Sequence, residues 1–396
     1  MNTKNVTVLA LIVGQGLTGS VISLLTLTST LVGNRLSPVP YLVTLPITAT
    51  VVGAAIMVYY ASFLMNAYGR RTAFSIGSGI GLLGSILAIA AVYYQLFSLF
   101  TFSTFILGGA TVFNQYYRFA GAEVFDNESG KKKCTSLIIG GGIIGGVIGP
   151  LIATKGASMF PEHLFLGSFL ISGVVFILAW ISQLFISLPR TTAVNTKNND
   201  IFSESEIKTV ISSSQFITGT LSCALGFSFM TLVMNATPLA MHHAHYNIQE
   251  SAFVLQWHFF AMYAPALFLP LLISRLKTPH IIQCGAVFFI AGAIFPFYYD
   301  EFTGYIFALS AIGIGWSFMF TGGTFLINQI SHPKIKHKIQ GINSSATYML
   351  NLIASLSVGF FMNNAHGWLI INGMVVFGML IFLFYMLLHT RCCARR

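Results

Sequence analysis

The sequence predicts an all-α membrane protein of twelve transmembrane helices arranged as two six-helix pseudo-repeats. Three observations carry that prediction. Twelve apolar runs of about 20 residues or more are each long enough, at ~1.5 Å per residue, to cross a ~30 Å hydrocarbon core. Eighteen of the 20 Lys and Arg residues fall at one face when those runs are threaded back and forth. One long polar gap, about 190–213, separates two halves of nearly equal length. The composition agrees: 8% charged residues, 36 Phe and a mean hydropathy of +0.78 describe a chain whose main solvent is lipid.

In chain order, the first run covers 6–33. It is too long, and too weakly basic at Lys4, for a cleaved leader, so it reads as the first helix. Runs at 41–64 and 72–94 flank Arg70 and Arg71, and a fourth run at 97–122 leads into the basic stretch that includes Arg118 and Lys131–Lys133. A glycine-rich fifth run at 135–153 and a sixth at 164–188 complete the first half, 1–189. The tether follows, with Arg190, Lys197 and Lys208. The second half, 214–396, holds runs at 216–241, 252–273, 280–299, 305–327, 341–362 and 368–388, with basic residues at 275–277, at 334–338 and in the tail. Only Arg35 and Lys155 fall in the alternate gaps, and the positive-inside rule then places both termini in the cytoplasm of a cell whose inner membrane the chain spans. The formal charge of +10 is accounted for as an orientation signal, with no need of a nucleic-acid partner. Cys134, Cys392 and Cys393 lie on the cytoplasmic side, and Cys223 and Cys284 within spans, which gives neither a disulfide framework nor a spaced zinc site.

At the turn between the second and third runs, residues 62–71 read SFLMNAYGRR. This resembles the signature GxLxDxxGRR of the major facilitator superfamily, and the twelve-span layout extends the resemblance over the whole chain. Gly69 suits a tight turn at positive φ. Ser62 stands in place of the signature's glycine and Asn66 in place of its aspartate, so a charge lock on this face needs another acid. Glu123, directly after the fourth run at the cytoplasmic end, is the candidate partner for Arg70 or Arg71; the alternative is an exposed Glu at a helix end. Asn66, Gly69, Arg70, Arg71 and Glu123 are therefore the candidate cytoplasmic gate. Residues 140–150, GGGIIGGVIGP, place Gly141, Gly145 and Gly149 on one face and resemble the family's glycine-proline element; they read as a packing seam that Pro150 kinks or ends. Segments 235–243 (NATPLAMHH) and 255–265 (LQWHFFAMYAP) resemble a bacterial branch of the superfamily, some of whose members are linked to riboflavin and some to siderophore uptake.

Thr111, Asn114, Gln115 and Arg118 recur at i, i+3, i+4 and i+7, one stripe of an otherwise apolar helix. The resemblance implies that helices 1, 4, 7 and 10 line a central cavity. Arg118 would then meet an anionic solute, or else snorkel to headgroups. In relatives a coupling Arg often stands where this chain, aligned on Gly108, has Thr104. The remaining cavity candidates are Gln15, Asn235, Gln256, Trp257, His258, Trp316, Asn343 and Asn351. No Asp or Glu lies near mid-membrane, so a coupling proton would have to use His258, which otherwise serves as a hydrogen-bonded link between helices. His242, His243 and His245 form an outer cluster that lacks a nearby acid or thiol, so no metal and no cofactor is expected. The resulting expectation is a secondary transporter, not an enzyme, acting as a monomer by alternating access. It would move a small anionic solute such as a carboxylate siderophore. A riboflavin importer and a multidrug exporter share the fold, and a transporter-like sensor or membrane enzyme would be a different class.

Overall fold

The computed structural model describes the chain apart from residues 1–2, 40–41, 44, 189–203, 274, 300, 331–334, 363, 365 and 394–396. Among the described residues there are fifteen α-helices and no strand. The first six spans are built from α1 (Thr3–Leu36), α2 (Leu45–Tyr68), α3 (Arg70–Tyr93), α4 (Phe97–Thr111), α5 (Asn114–Ala122), α6 (Glu128–Gly140), α7 (Gly142–Ala157) and α8 (Leu166–Gln183). A short helix α9 (Glu204–Ile211) precedes α10 (Ser214–His243), α11 (Ile248–Ile273), α12 (Thr278–Ile294), α13 (Phe302–Ile330), α14 (Lys336–Met362) and α15 (Gly367–Cys393). Twelve helical stretches are long and apolar enough to cross a bilayer, one for each run in the sequence. Most of the tether lies outside the described residues, and α9 occupies its end.

The chain divides into two compact units, Met1–Asn195 and Thr196–Arg396, with six spans in each. In the first unit α1 packs on α7, α2 and α3 on α4, and α3 on α8. The second repeats the pattern: α10 on α14, α11 and α12 on α13, and α12 on α15. This is the pseudo-repeat. Large apolar side chains such as Phe63, Phe268, Leu271, Phe360 and Phe377 are exposed on the helices, where a water-soluble protein would carry charge. Lipid is the solvent that makes such a surface stable.

Two spans are interrupted. In the fourth, Val112 and Phe113 donate to carbonyls three residues back, at Gly109 and Ala110, so the ladder tightens before α5 begins at Asn114. In the fifth the break falls at Gly141, whose N–H is shared between Leu137 and Ile138 carbonyls, while the helix runs on through Pro150 to Ala157. Pro150 therefore does not end the span. Three successive glycines upstream are the softer point, because none has a side chain to favour regular helix. The seam read from the sequence forms against α1. An ideal Cβ on Gly145 would lie 2.6 Å from the Gly19 carbonyl carbon and 2.7 Å from Ser20 N, so only a glycine permits this approach.

Polar contacts fix which helix ends share a level in the first unit. Arg70 at the start of α3 meets Glu123 just after α5, Lys4 at the start of α1 meets Asp126 at 3.6 Å, and Thr7 exchanges hydrogen bonds with Ser187 beyond α8. All four positions therefore lie at one end of the unit.

Candidate functional site

The turn at Gly69 comes first, because the chain order builds it first. Gly69 has φ 81° and ψ 165°, a conformation that a residue with a Cβ adopts only under strain, and it lets α2 pass into α3 with no intervening loop. Arg70 then points into the unit. Its Nε donates to Glu123 Oε1 at 2.8 Å and its Nη2 to the same oxygen at 2.5 Å, with both side chains almost wholly buried. A buried pair of this kind is held by charge-assisted hydrogen bonds. Asn66 and Arg71 stand apart from it, exposed on the outside of the turn.

Higher in the same unit a neutral network links α1 to α5. Gln15 Nε2 donates to Asn114 Oδ1 at 2.9 Å, while Asn114 Nδ2 donates to the Gln15 carbonyl at 2.9 Å and to Thr18 Oγ1 at 2.7 Å. The break after Thr111 is what turns Asn114 toward α1. Thr111 itself is buried and donates to the Gly108 carbonyl, and Gln115 is partly buried. Arg118 is 3% exposed, so it does not reach outward to headgroups. Its Nε donates to the Gln115 carbonyl at 3.1 Å, and its guanidinium lies 4.6 Å from the Phe119 ring centroid. Thr104 donates to the Pro46 carbonyl and so ties α4 to α2. A neighbouring network was not read from the sequence: Gln183 Nε2 donates to Tyr117 Oη at 2.7 Å and to Ser78 Oγ at 2.8 Å, with Phe74 stacked on Tyr117. Gln183, as the amide of an apolar span, was the available signal.

In the second unit the candidates separate into two groups. Trp257 is 46% exposed and belongs to an exposed apolar stripe with Phe253 and Phe260, at i−4 and i+3. Gln256 beside it is partly buried. His258, on the other face of α11, is fully buried and its Nδ1 lies 2.7 Å from the Leu309 carbonyl of α13. A carbonyl can only accept, so neutral His258 carries its proton on Nδ1 and leaves Nε2 bare; Nε2 has no partner among the described residues. Asn235 on α10 donates to Ser355 Oγ on α14 at 3.4 Å.

The buried group is notable for what it leaves unmet. Trp316 Nε1, both side-chain polar atoms of Asn343, and Asn351 Oδ1 are buried without a hydrogen-bond partner among the described residues, as are the hydroxyls of Ser317 and Thr321. Each such group costs about 1–3 kcal/mol in a folded protein unless water or a ligand completes it. Around Trp316 stands a set of rings that sequence reading did not assemble. Phe320 stacks on it at 4.7 Å, Tyr263 meets it edge-on at 5.6 Å, and Phe227 lies tilted within 6.4 Å of Trp316 and 5.8 Å of both Phe320 and Tyr348. Among the described residues no group of three or more His, Cys, Asp or Glu side chains is placed to hold a metal ion, and the His242 side chain of the outer cluster lies outside them.

The sequence pattern of the Major Facilitator Superfamily matches residues 6–355. The chain belongs to that superfamily. This facilitator is 30% identical over 349 residues to the riboflavin transporter RfnT of Brucella anthropi, an alignment covering 87% of this chain and 86% of that one. It is also 30% identical over 304 residues to the uncharacterized MFS-type transporter YddS of Bacillus subtilis, covering 73% and 69% of the two chains. Among solved structures, the human organic anion transporter MFSD10 superposes with a TM-score of 0.76 at 10% identity, covering 98% of this facilitator and all of that chain. FucP, in its outward conformation, gives a TM-score of 0.70 at 16% identity over 97% of this facilitator and 99% of that chain. At such identities the likeness is one of fold.

Proposed function

We propose that this facilitator is a secondary transporter that moves a small, uncharged, hydrogen-bonding organic solute of the riboflavin type across a bacterial inner membrane, its two units alternating the side from which the solute is reached. The observation that carries the reading is the neutrality of the buried polar groups left for a solute. Amides, hydroxyls and an indole N–H stand unpartnered among the described residues of the second unit, whereas Arg118 donates to the Gln115 carbonyl and lies against the Phe119 ring. A carboxylate siderophore would call on Arg118, the arginine buried within the fourth span, and the neutral groups of the second unit would be left to water. The riboflavin transporter among the relatives supports the same direction.

The test is uptake of radiolabelled riboflavin by proteoliposomes containing the purified protein, against empty liposomes. Saturable uptake that excess unlabelled riboflavin suppresses, and that citrate or ferric citrate does not, is the expected result. No uptake above empty liposomes, or suppression by ferric citrate, would overturn it. The same assay under an imposed pH gradient examines His258, which we propose as the carrier of a coupling proton through its bare Nε2. Acceleration by the gradient in the wild type but not in His258→Gln is expected, and equal acceleration in both would remove His258 from coupling.

A further inference from the structure

We propose that the ring cluster of the second unit is a stacking site for a planar nitrogen heterocycle with a carbonyl-rich edge. The site rests on the riboflavin-type reading above and deepens it. Four helices contribute: α10 gives Phe227, α11 gives Tyr263, α13 gives Trp316 and Phe320, and α14 gives Tyr348. Trp316 and Phe320, one helical turn apart, lie nearly parallel with an interplanar angle of 16°. Tyr263 meets Trp316 edge-on at 86°, and Phe227 lies 5.8 Å from both Phe320 and Tyr348.

Two features distinguish this cluster from ordinary core packing. First, its rim is open: Trp316, Phe320 and Tyr348 are buried, but Phe227 and Tyr263 are partly exposed. Second, its polar atoms are unspent. Trp316 is 2% exposed, yet its N–H has no acceptor among the described residues. Asn351, one turn beyond Tyr348 on α14, is buried with its Oδ1 free of any donor among the described residues. A core selected only for packing would place phenyl or aliphatic groups at such positions, because a buried donor without an acceptor is destabilising.

A flat heterocycle completes both deficits. Entering at the rim, it stacks against Phe227 and Tyr263 beside the buried Trp316–Phe320 pair, a ring carbonyl or imine nitrogen accepts from Trp316 Nε1, and a ring N–H donates to Asn351 Oδ1. A purely aliphatic solute would satisfy neither the rings nor the edge. The ribityl-type chain of a flavin is not needed for this contact, which predicts that the bare ring system is recognised without it.

The experiment titrates riboflavin, lumichrome (the ring system alone) and ribitol (the chain alone) into the purified full-length protein, following ligand fluorescence for the two rings and competition for ribitol. Variants are Phe227→Leu, Trp316→Leu and Trp316→Phe, each admitted only if monodisperse with a wild-type thermal midpoint. Phe227, at the rim, is the variant least able to disturb folding. Both rings are expected to bind, ribitol not to compete, and either leucine variant to weaken both rings by about tenfold or more, with Trp316→Phe intermediate because it keeps the stack and loses the N–H. Wild-type affinity for both rings in the folded leucine variants would overturn the site, as would failure of lumichrome to bind. If riboflavin uptake is absent while lumichrome still binds through Trp316 and Phe227, the substrate reading falls and the site stands. If uptake is normal in both leucine variants, the substrate reading stands and the site falls.

Discussion

Glu123 and Arg70 form a buried, charge-assisted pair in the first unit. Both are almost wholly buried, and each has lost the water that would otherwise stabilise its charge. Removing one partner of such a pair costs about 3–5 kcal/mol, mostly because the other is stranded, whereas removing both costs far less. Glu123→Gln should therefore lower the thermal midpoint of the purified protein clearly, and Arg70→Gln combined with Glu123→Gln should recover most of the loss. A single variant as stable as wild type would show that the pair is solvated and energetically idle. The pairing was legible from scarcity: no acid lies inside a predicted run and Glu123 directly follows the fourth, so a buried arginine at that end had few choices. Which arginine takes it was not legible. Gly69 decides that, because its positive φ starts α3 at Arg70 with the side chain inward and leaves Arg71 outside.

At the scale of helices, the spans were readable because lipid demands about 20 apolar residues per crossing and tolerates few interruptions. The interruptions themselves were not. The break at Val112–Phe113 falls inside an apolar stretch with no glycine or proline at the break itself, and its consequence, Asn114 turned onto Gln15 and Thr18, depends on packing with α1 rather than on local preference. The ring cluster was hidden for a related reason. In a chain with 36 Phe, a ring bound for lipid and a ring bound for a site look alike, and Trp257 and Trp316 are told apart only by which face of their helix meets a neighbour. The glycine seam was readable in its spacing and can be tested at one position. Gly145→Leu would force a side chain into the α1 backbone, so a sharp loss of folded protein is expected on size exclusion. Gly79→Ala, in α3 with open space around it, should stay within about 1 kcal/mol of wild type. Equal tolerance of both would mean that α1 and α7 do not depend on close backbone approach.

For the molecule as a whole, the distribution of charge sets orientation, and the structure gives that distribution a geometry. Lys4, Arg70 and the acids they meet gather at one end of the first unit, together with Ser187 beyond α8. In the second unit Gln215 at the start of α10 bonds the Leu326 carbonyl and Gln329 near the end of α13, which brings the start of that unit level with the end of α13, beyond which the sequence carries Lys334, Lys336 and Lys338. The opposite ends hold little positive charge, with Arg35 and Lys155 the basic residues there. Translocation retains Lys and Arg on the cytoplasmic side, so the basic ends should face the cytoplasm and both termini with them. A fluorescent protein fused after residue 396 should therefore fold and fluoresce in a bacterial host, and alkaline phosphatase at the same point should be inactive. Phosphatase placed in the exposed turn between α7 and α8, around Glu162, should be active, because that turn belongs to the poorly charged ends. An active phosphatase at the C-terminus would invert the molecule. The Arg70–Glu123 turn would then face the outside, and every assignment of solute entry to one end of the helices would reverse with it.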